Sequence, residues 1–158
     1  MKRTKNVARL LTLVLVLCMV LIPLTSCKKV QNVNGYCKVV IVTVPETVYT
    51  VDLDKVGTVD NGLITIFEYL KENESGFTYE AQEGAYGAFL TKVLTLEQAA
   101  DYNPYIVLYT SVEADFDTSE FAVEKTYNGT KLVTSGVGAS SMTIQADAVY
   151  YITLSSNQ

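Results

Sequence analysis

Residues 62–72 read GLITIFEYLKE, and this stretch decides the fold class. Leu63, Ile66, Phe67 and Leu70 recur at helical spacing, with Glu68, Lys71 and Glu72 opposite, which predicts an amphipathic helix of about three turns. Val59-Asp60-Asn61-Gly62 precedes it as a turn, with Asp60 or Asn61 available as N-cap, and Asn73 to Gly76 ends it. A second short helix is expected over Leu96 to Asp101, with Thr95 as its cap. Most of what surrounds the long helix reads as strand. Residues 37–44 (CKVVIVTV) are a β-branched apolar run, broken by Pro45-Glu46, and residues 47–53 (TVYTVDL) alternate, so the two should form an antiparallel hairpin. Residues 77–80 and 105–110 read as strands, the latter central. Residues 121–126 and 130–134 should form a hairpin around Tyr127-Asn128-Gly129, where Asn-Gly favours a type I′ turn. Residues 141–145 and 148–154 read as the last two strands. One helix packed on a mixed or antiparallel sheet is an α+β domain, expected over residues 37–158.

Charge divides the chain. Its 158 residues carry 12 Lys+Arg and 17 Asp+Glu, with no His and no Trp. Lys2, Arg3, Lys5 and Arg9 lie in the first nine residues, and no acid precedes Glu46. Setting aside everything before Cys27 removes four bases and no acids, leaving about −9 and no Arg. That composition excludes a His general base, a His metal ligand and an Arg clamp. An acidic surface without Arg also argues against nucleic acid, whose phosphates are bound by Lys and Arg.

Behind the basic start, Leu10 to Leu24 (LLTLVLVLCMVLIPL) is almost wholly apolar. A helix of that length rises about 22 Å, short of a roughly 30 Å hydrocarbon core, and the pattern is that of a secretory signal. Leu24-Thr25-Ser26-Cys27 resembles the bacterial lipobox. The resemblance implies a signal peptide over 1–26, lipid on Cys27, and an extracytoplasmic protein held at the bacterial cell membrane. Two or more acyl chains, at about 0.8 kcal/mol per buried CH₂, anchor firmly where one does not. Lys28 and Lys29 would sit at anionic headgroups, and the rest of 27–36 is a short polar tether. With Cys27 expected to carry lipid, Cys37 is alone in the mature domain, cannot form an intramolecular disulfide and reads as a small buried hydrophobe.

Three stretches in order resemble the DUF4430, transcobalamin C-terminal-like domain family. These are Gly62-Leu63-Ile64-Thr65-Ile66-Phe67-Glu68-Tyr69-Leu70, then Phe77-Thr78-Tyr79-Glu80 with Tyr86-Gly87-Ala88-Phe89-Leu90, and finally Met142 to Leu154 (MTIQADAVYYITL). The resemblance implies a β-grasp-like fold and a ligand-facing region around the middle stretch. The chain departs from the family pattern in having no Trp in Asn103 to Thr110, and Ala146-Asp147 where Gly-Asp is usual.

All eleven tyrosines fall in the mature part. Tyr79, Tyr86, Tyr102, Tyr105 and Tyr109 cluster in the motif region, and Tyr offers large amphipathic contact area. Tyr79, Tyr86, Gly87, Tyr105 and Tyr109 are the candidate ligand residues, with packing as the competing reading. A concave aromatic pocket between the helix and Tyr86–Phe89 would favour ligand binding. Glu113, Asp115, Asp117, Ser119 and Glu124 fall at positions 1, 3, 5, 7 and 12 of an EF-hand-like count. Position 6 is Thr118 rather than Gly, so Glu113, Asp115, Asp117 and Glu124 compete as metal ligands with a plain acidic loop. Gly136 to Ser141 (GVGASS) reads as a flexible connection. With no nucleophile–base pair, the expectation is a non-catalytic binding module for a small molecule such as a corrinoid, a glycan or a protein partner, without a cofactor. The alternative is a structural or assembly surface lipoprotein without a small-molecule ligand.

Overall fold

The computed structural model describes residues 32–157. The expected signal peptide, the lipidation site Cys27 and the tether up to residue 31 lie outside the described residues. Strand β1 (Tyr36–Ile41) buries Val39, Val40 and Ile41 completely. It does not alternate because both faces of its sheet are covered. After Pro45-Glu46, β2 (Thr47–Asp52) pairs antiparallel with it, Ile41 opposite Thr47 and Tyr36 opposite Asp52. The chain then leaves the sheet one residue earlier than its alternation predicts. Asp52 caps a four-residue helix α1 (Leu53–Val56), accepting from the Asp54 amide at 3.2 Å.

Helix α2 (Gly62–Asn73) is the predicted amphipathic helix and buries Leu63, Ile66, Phe67 and Leu70. Its start differs from expectation. The Asn61 side chain makes no cap bond; instead the Asn61 amide donates to Thr65 Oγ1 at 3.2 Å. Gly62 takes a left-handed φ of +52°, and a Cβ there would lie 2.7 Å from the carbonyl oxygens of Ala139 and Met142.

The remaining strands are β3 (Tyr79–Gly84), β4 (Gly87–Val93), β5 (Leu96–Glu97), β6 (Ile106–Thr110), β7 (Glu124–Tyr127), β8 (Thr130–Thr134) and β9 (Val149–Leu154). Among the described residues they form a six-stranded sheet ordered β2-β1-β9-β6-β8-β7 and a three-stranded sheet ordered β3-β4-β5. The class is mixed α and β, mostly sheet with one main helix. In the larger sheet β9 pairs parallel with β1 and antiparallel with β6. The β7–β8 hairpin turns through Asn128 and Gly129 at φ 49° and 83°, the primed-turn geometry that the Asn-Gly pair predicts.

Two sequence expectations fail, each for a stated reason. Residues 96–101 are not a helix: Val93 pairs with Leu96 across a tight turn, and Lys92 meets Glu97 at 2.9 Å. Six residues cannot offset the cost of helix nucleation when a buried hairpin competes. Residues 141–145 are not a strand. Ala139–Ser141 form a 3-10 turn, and the following amides bond to side chains: Thr143 N–H to Asp115 Oδ2 at 2.6 Å and Gln145 N–H to the Tyr150 hydroxyl at 3.1 Å. Met142 and Ile144 are buried all the same, so their alternation reflects the core and not a ladder.

That core lies between one face of the large sheet, α2 and the small sheet: Val39, Ile41, Tyr150 and Ile152 meet Leu63, Phe67, Leu90 and Val93. Phe67, Phe77, Tyr79 and Tyr49 add edge-on ring contacts, with Phe67 and Phe77 centroids 5.4 Å apart. The opposite face carries Val40, Val107, Tyr109, Leu132 and Val149. Lys125 lays its ammonium 4.6 Å from the Tyr109 ring and 4.5 Å from that of Tyr151, and burial pulls this lysine below its ordinary pKa. Tyr127 donates to Glu46 at 2.9 Å, tying the β7–β8 hairpin to the β1–β2 turn. Because Gly62 has both a left-handed φ and backbone oxygens on its Cβ side, Gly62→Ala should lower stability by about 2–3 kcal/mol; urea unfolding with an unchanged midpoint would contradict this packing.

Candidate functional site

A cleft of about 540 Å³ opens between the β3–β4 hairpin, the segment entering β6 and the connection after β8. Its first wall is the hairpin. Gly84 and Gly87 face each other across the two turn residues Ala85 and Tyr86, which thrusts Tyr86 out with 81% of its surface exposed. Gly87 has φ +106°, and a Cβ on it would lie 2.7 Å from Ser141 Oγ. The next amide, of Ala88, donates to Ser140 Oγ at 2.7 Å. Alternation then buries Ala88 and Leu90 in the core and leaves Phe89, 41% exposed, on the cleft side.

The second wall is Tyr102 and Tyr105. Tyr105 is pinned at both backbone groups: its N–H donates to Ser155 Oγ at 3.1 Å, and its carbonyl accepts from the Ser155 amide at 2.8 Å. The third wall is Ser135 to Gly138. Ser135 donates its amide to the Leu108 carbonyl and its hydroxyl to that of Val137, both at 2.8 Å. The Gly138 amide donates to the Tyr86 carbonyl at 2.7 Å, and a Cβ at Gly138 would stand 2.7 Å from that same oxygen. The connection expected to be flexible is therefore a close-packed strap on the hairpin.

Tyr86, Phe89, Tyr102 and Tyr105 thus converge on one concavity, and no Asp, Glu, Lys or Arg lines it. Such a site can hold a ring face and exchange hydrogen bonds through tyrosine hydroxyls; it has no charge to offer and no acid–base pair. Its position along the sheet is fixed by register. Lys38 near the start of β1 pairs with Val149, whereas Ile106, next to Tyr105, pairs with Leu154 at the far end of β9.

Of the residues expected to face a ligand, Tyr86, Gly87 and Tyr105 come together here. Tyr79 and Tyr109 do not. Tyr79 stacks edge-on to Phe67 at 5.2 Å and donates to the Glu68 carboxylate; burial first, then Glu68, push its pKa up. Tyr109 is fully buried on the other sheet face, its ring 6.0 Å from Tyr151, and its hydroxyl has no hydrogen-bond partner. The expected location is also corrected, since no α2 residue lines the cleft. Phe89 and the 135–138 strap were missed by the site prediction; the strap's two glycines around Val137 were the available signal, since such spacing marks close backbone approach.

The acidic segment is dispersed among other tasks. Glu113, exposed, begins a 3-10 turn. Asp115 is buried and accepts from Thr143 at both its amide, 2.6 Å, and its hydroxyl, 2.8 Å. Asp117 accepts from the Ser119 amide at 2.8 Å, and Glu124 pairs with Lys131 at 2.6 Å. Among the described residues no three His, Cys, Asp or Glu side chains gather as a metal-holding group. Cys37 is buried, and burial pushes its thiol up to about 12, so it stays protonated and inert.

No family model matches the chain, and no curated protein is significantly similar to it. Among solved structures, that of a "putative metal binding protein" from Ruminococcus gnavus is similar, with a TM-score of 0.50 at 15% identity over 77% of this chain and 96% of that one. At that identity the likeness speaks for the fold.

Two outcomes follow from this geometry. Asp115→Ala, which strands the Thr143 donors, should cost about 3 kcal/mol, while millimolar calcium or EDTA leaves the melting temperature of the parent unchanged; a calcium-dependent shift would restore the metal reading. Tyr109→Phe removes a buried hydroxyl without a partner and should raise stability by about 1 kcal/mol without altering the cleft; a loss of stability in thermal melts would show that the hydroxyl is bonded.

Proposed function

We propose that the protein is an extracytoplasmic lipoprotein, anchored through Cys27, that acts as a non-catalytic binding module, with the Tyr86–Tyr105 cleft as its ligand site. The observation that carries the binding reading is the convergence of four exposed aromatic side chains on one preorganised concavity of about 540 Å³. That volume lies within the roughly 300–1,000 Å³ of small-molecule sites. Other large apolar side chains are exposed too, Val44 and Phe121 among them, but none of those lines this cleft, and it is the gathering of four at one concavity that is informative. The resemblance to the DUF4430, β-grasp-like domains supports the same reading, because the quoted Tyr86-Gly87-Ala88-Phe89-Leu90 stretch builds a wall of the cleft. A metal is the less fitting occupant: the Ruminococcus gnavus structure is that of a "putative metal binding protein", but here the cleft holds no carboxylate, thiol or imidazole.

Two measurements test this proposal. Cys27→Ala should abolish acyl labelling and move the protein from the membrane to the soluble fraction; unchanged fractionation would defeat the anchor. For the cleft, Glu83→Cys beside the hairpin tip can carry an environment-sensitive dye, since Cys37 is unreactive. Indole and benzamide, flat uncharged probes, should give saturable responses that Tyr86→Ala and Tyr105→Ala each weaken about tenfold, the size of one aromatic stacking contact. No saturable response to either probe would refute the binding reading.

A further inference from the structure

Taking the cleft as a ligand site, we infer that its ligand class is a neutral sugar chain, with pyranose rings stacked on Tyr86 and Tyr105. Charge is the first argument. The mature chain carries about −9, with acids and lysines spread over its surface, yet none of them lines this cleft. A phosphate, carboxylate or ammonium ligand would enter it without a counter-charge and lose its hydration, a cost that uncharged hydroxyls do not incur.

The aromatic type is the second. Three of the four exposed rings are tyrosine and one is phenylalanine. The electron-rich face of such a ring attracts the polarised C–H bonds on one face of a pyranose. A hydroxyl at the ring edge meets the equatorial hydroxyls around it. A groove for an apolar peptide would draw instead on aliphatic or Met side chains. Here the two most exposed lining residues are tyrosines, Tyr86 and Tyr102 at 81% and 61% exposure. Rings this open to water suit a ligand that stays partly solvated.

Rigidity is the third. A sugar gains little from each contact, so a site for one must not spend that gain on ordering itself. Gly138 is bonded to the Tyr86 carbonyl and Tyr105 is held by Ser155 at both backbone groups, so the two stacking residues are fixed at their main chains before a ligand arrives. A cleft of about 540 Å³ is larger than a single pyranose needs, which favours a chain over one ring.

Isothermal titration of the purified protein against cellohexaose, maltohexaose, mannohexaose and chitohexaose tests this, with oligogalacturonate as the charged control and an apolar decapeptide as the peptide control. Saturable binding of at least one neutral hexasaccharide, weakened about tenfold by Tyr86→Ala at unchanged melting temperature, supports the inference. Tighter binding of oligogalacturonate than of every neutral sugar overturns it, as does sugar binding that ignores both Tyr86→Ala and Tyr105→Ala. Binding of the peptide with no sugar bound assigns the cleft to a protein partner and overturns it too. If indole and benzamide respond at the cleft while all four sugars fail, the sugar assignment falls and the binding reading stands.

Discussion

The last strand, Val149–Leu154, lies between the first strand and the middle of the chain, and neither half of the six-stranded sheet is complete without it. On one side it runs parallel to β1, on the other antiparallel to β6. Its Tyr150 and Ile152 fill the core beneath α2, while Val149 and Tyr151 serve the opposite face. A strand buried on both faces reads as a near-continuous apolar run, here with buried Thr153 as the exception, which is why VYYITL does not alternate. It also means that contacts separated by more than a hundred residues must form before the sheet closes, an arrangement that slows folding.

The cleft depends on the same closure. Ser155, just past β9, holds Tyr105 in place, and the strap from β8 is bonded to the tip of the β3–β4 hairpin. The two sheets are thus joined at the site itself, by the main-chain bond from the Gly138 amide to the Tyr86 carbonyl at 2.7 Å. Side chains presented there are aimed by backbone that has no freedom to relax. Gly87 and Gly138 are what permit that approach, since a Cβ at Gly138 would meet the hairpin backbone and one at Gly87 the Ser140 and Ser141 hydroxyls.

How much of this was legible in the sequence depended on where each hydrogen bond goes. The Asn128-Gly129 turn, the α2 face and the β1–β2 hairpin are decided within a few residues, and their patterns read correctly. Residues 141–145 misled because Thr143 bonds to Asp115, 28 positions away, and Gln145 to Tyr150; a strand-like pattern carries no mark of such partners. Tyr105 and Tyr109 are alike in composition and spacing. Tyr109 lies within β6, where Lys125 and the β7–β8 hairpin cover its ring, whereas Tyr105 precedes the strand and stays exposed at the cleft. The acidic run matched a calcium loop in spacing alone, and Asp115 is committed to holding the chain that follows the 3-10 turn.

The polarity of the sheet has a mechanical meaning. The chain enters β1 at the end where Lys38 meets Val149, and Tyr105 stands near the end where Ile106 meets Leu154. A tether pulling at Tyr36 against a ligand seated in the cleft would load β1, β9 and β6 along their lengths. The ladder bonds, which lie across the strands, would then resist together in shear and not open one at a time like a zipper. Were the proposed anchor and ligand both engaged, the sheet would carry the load between them without peeling apart.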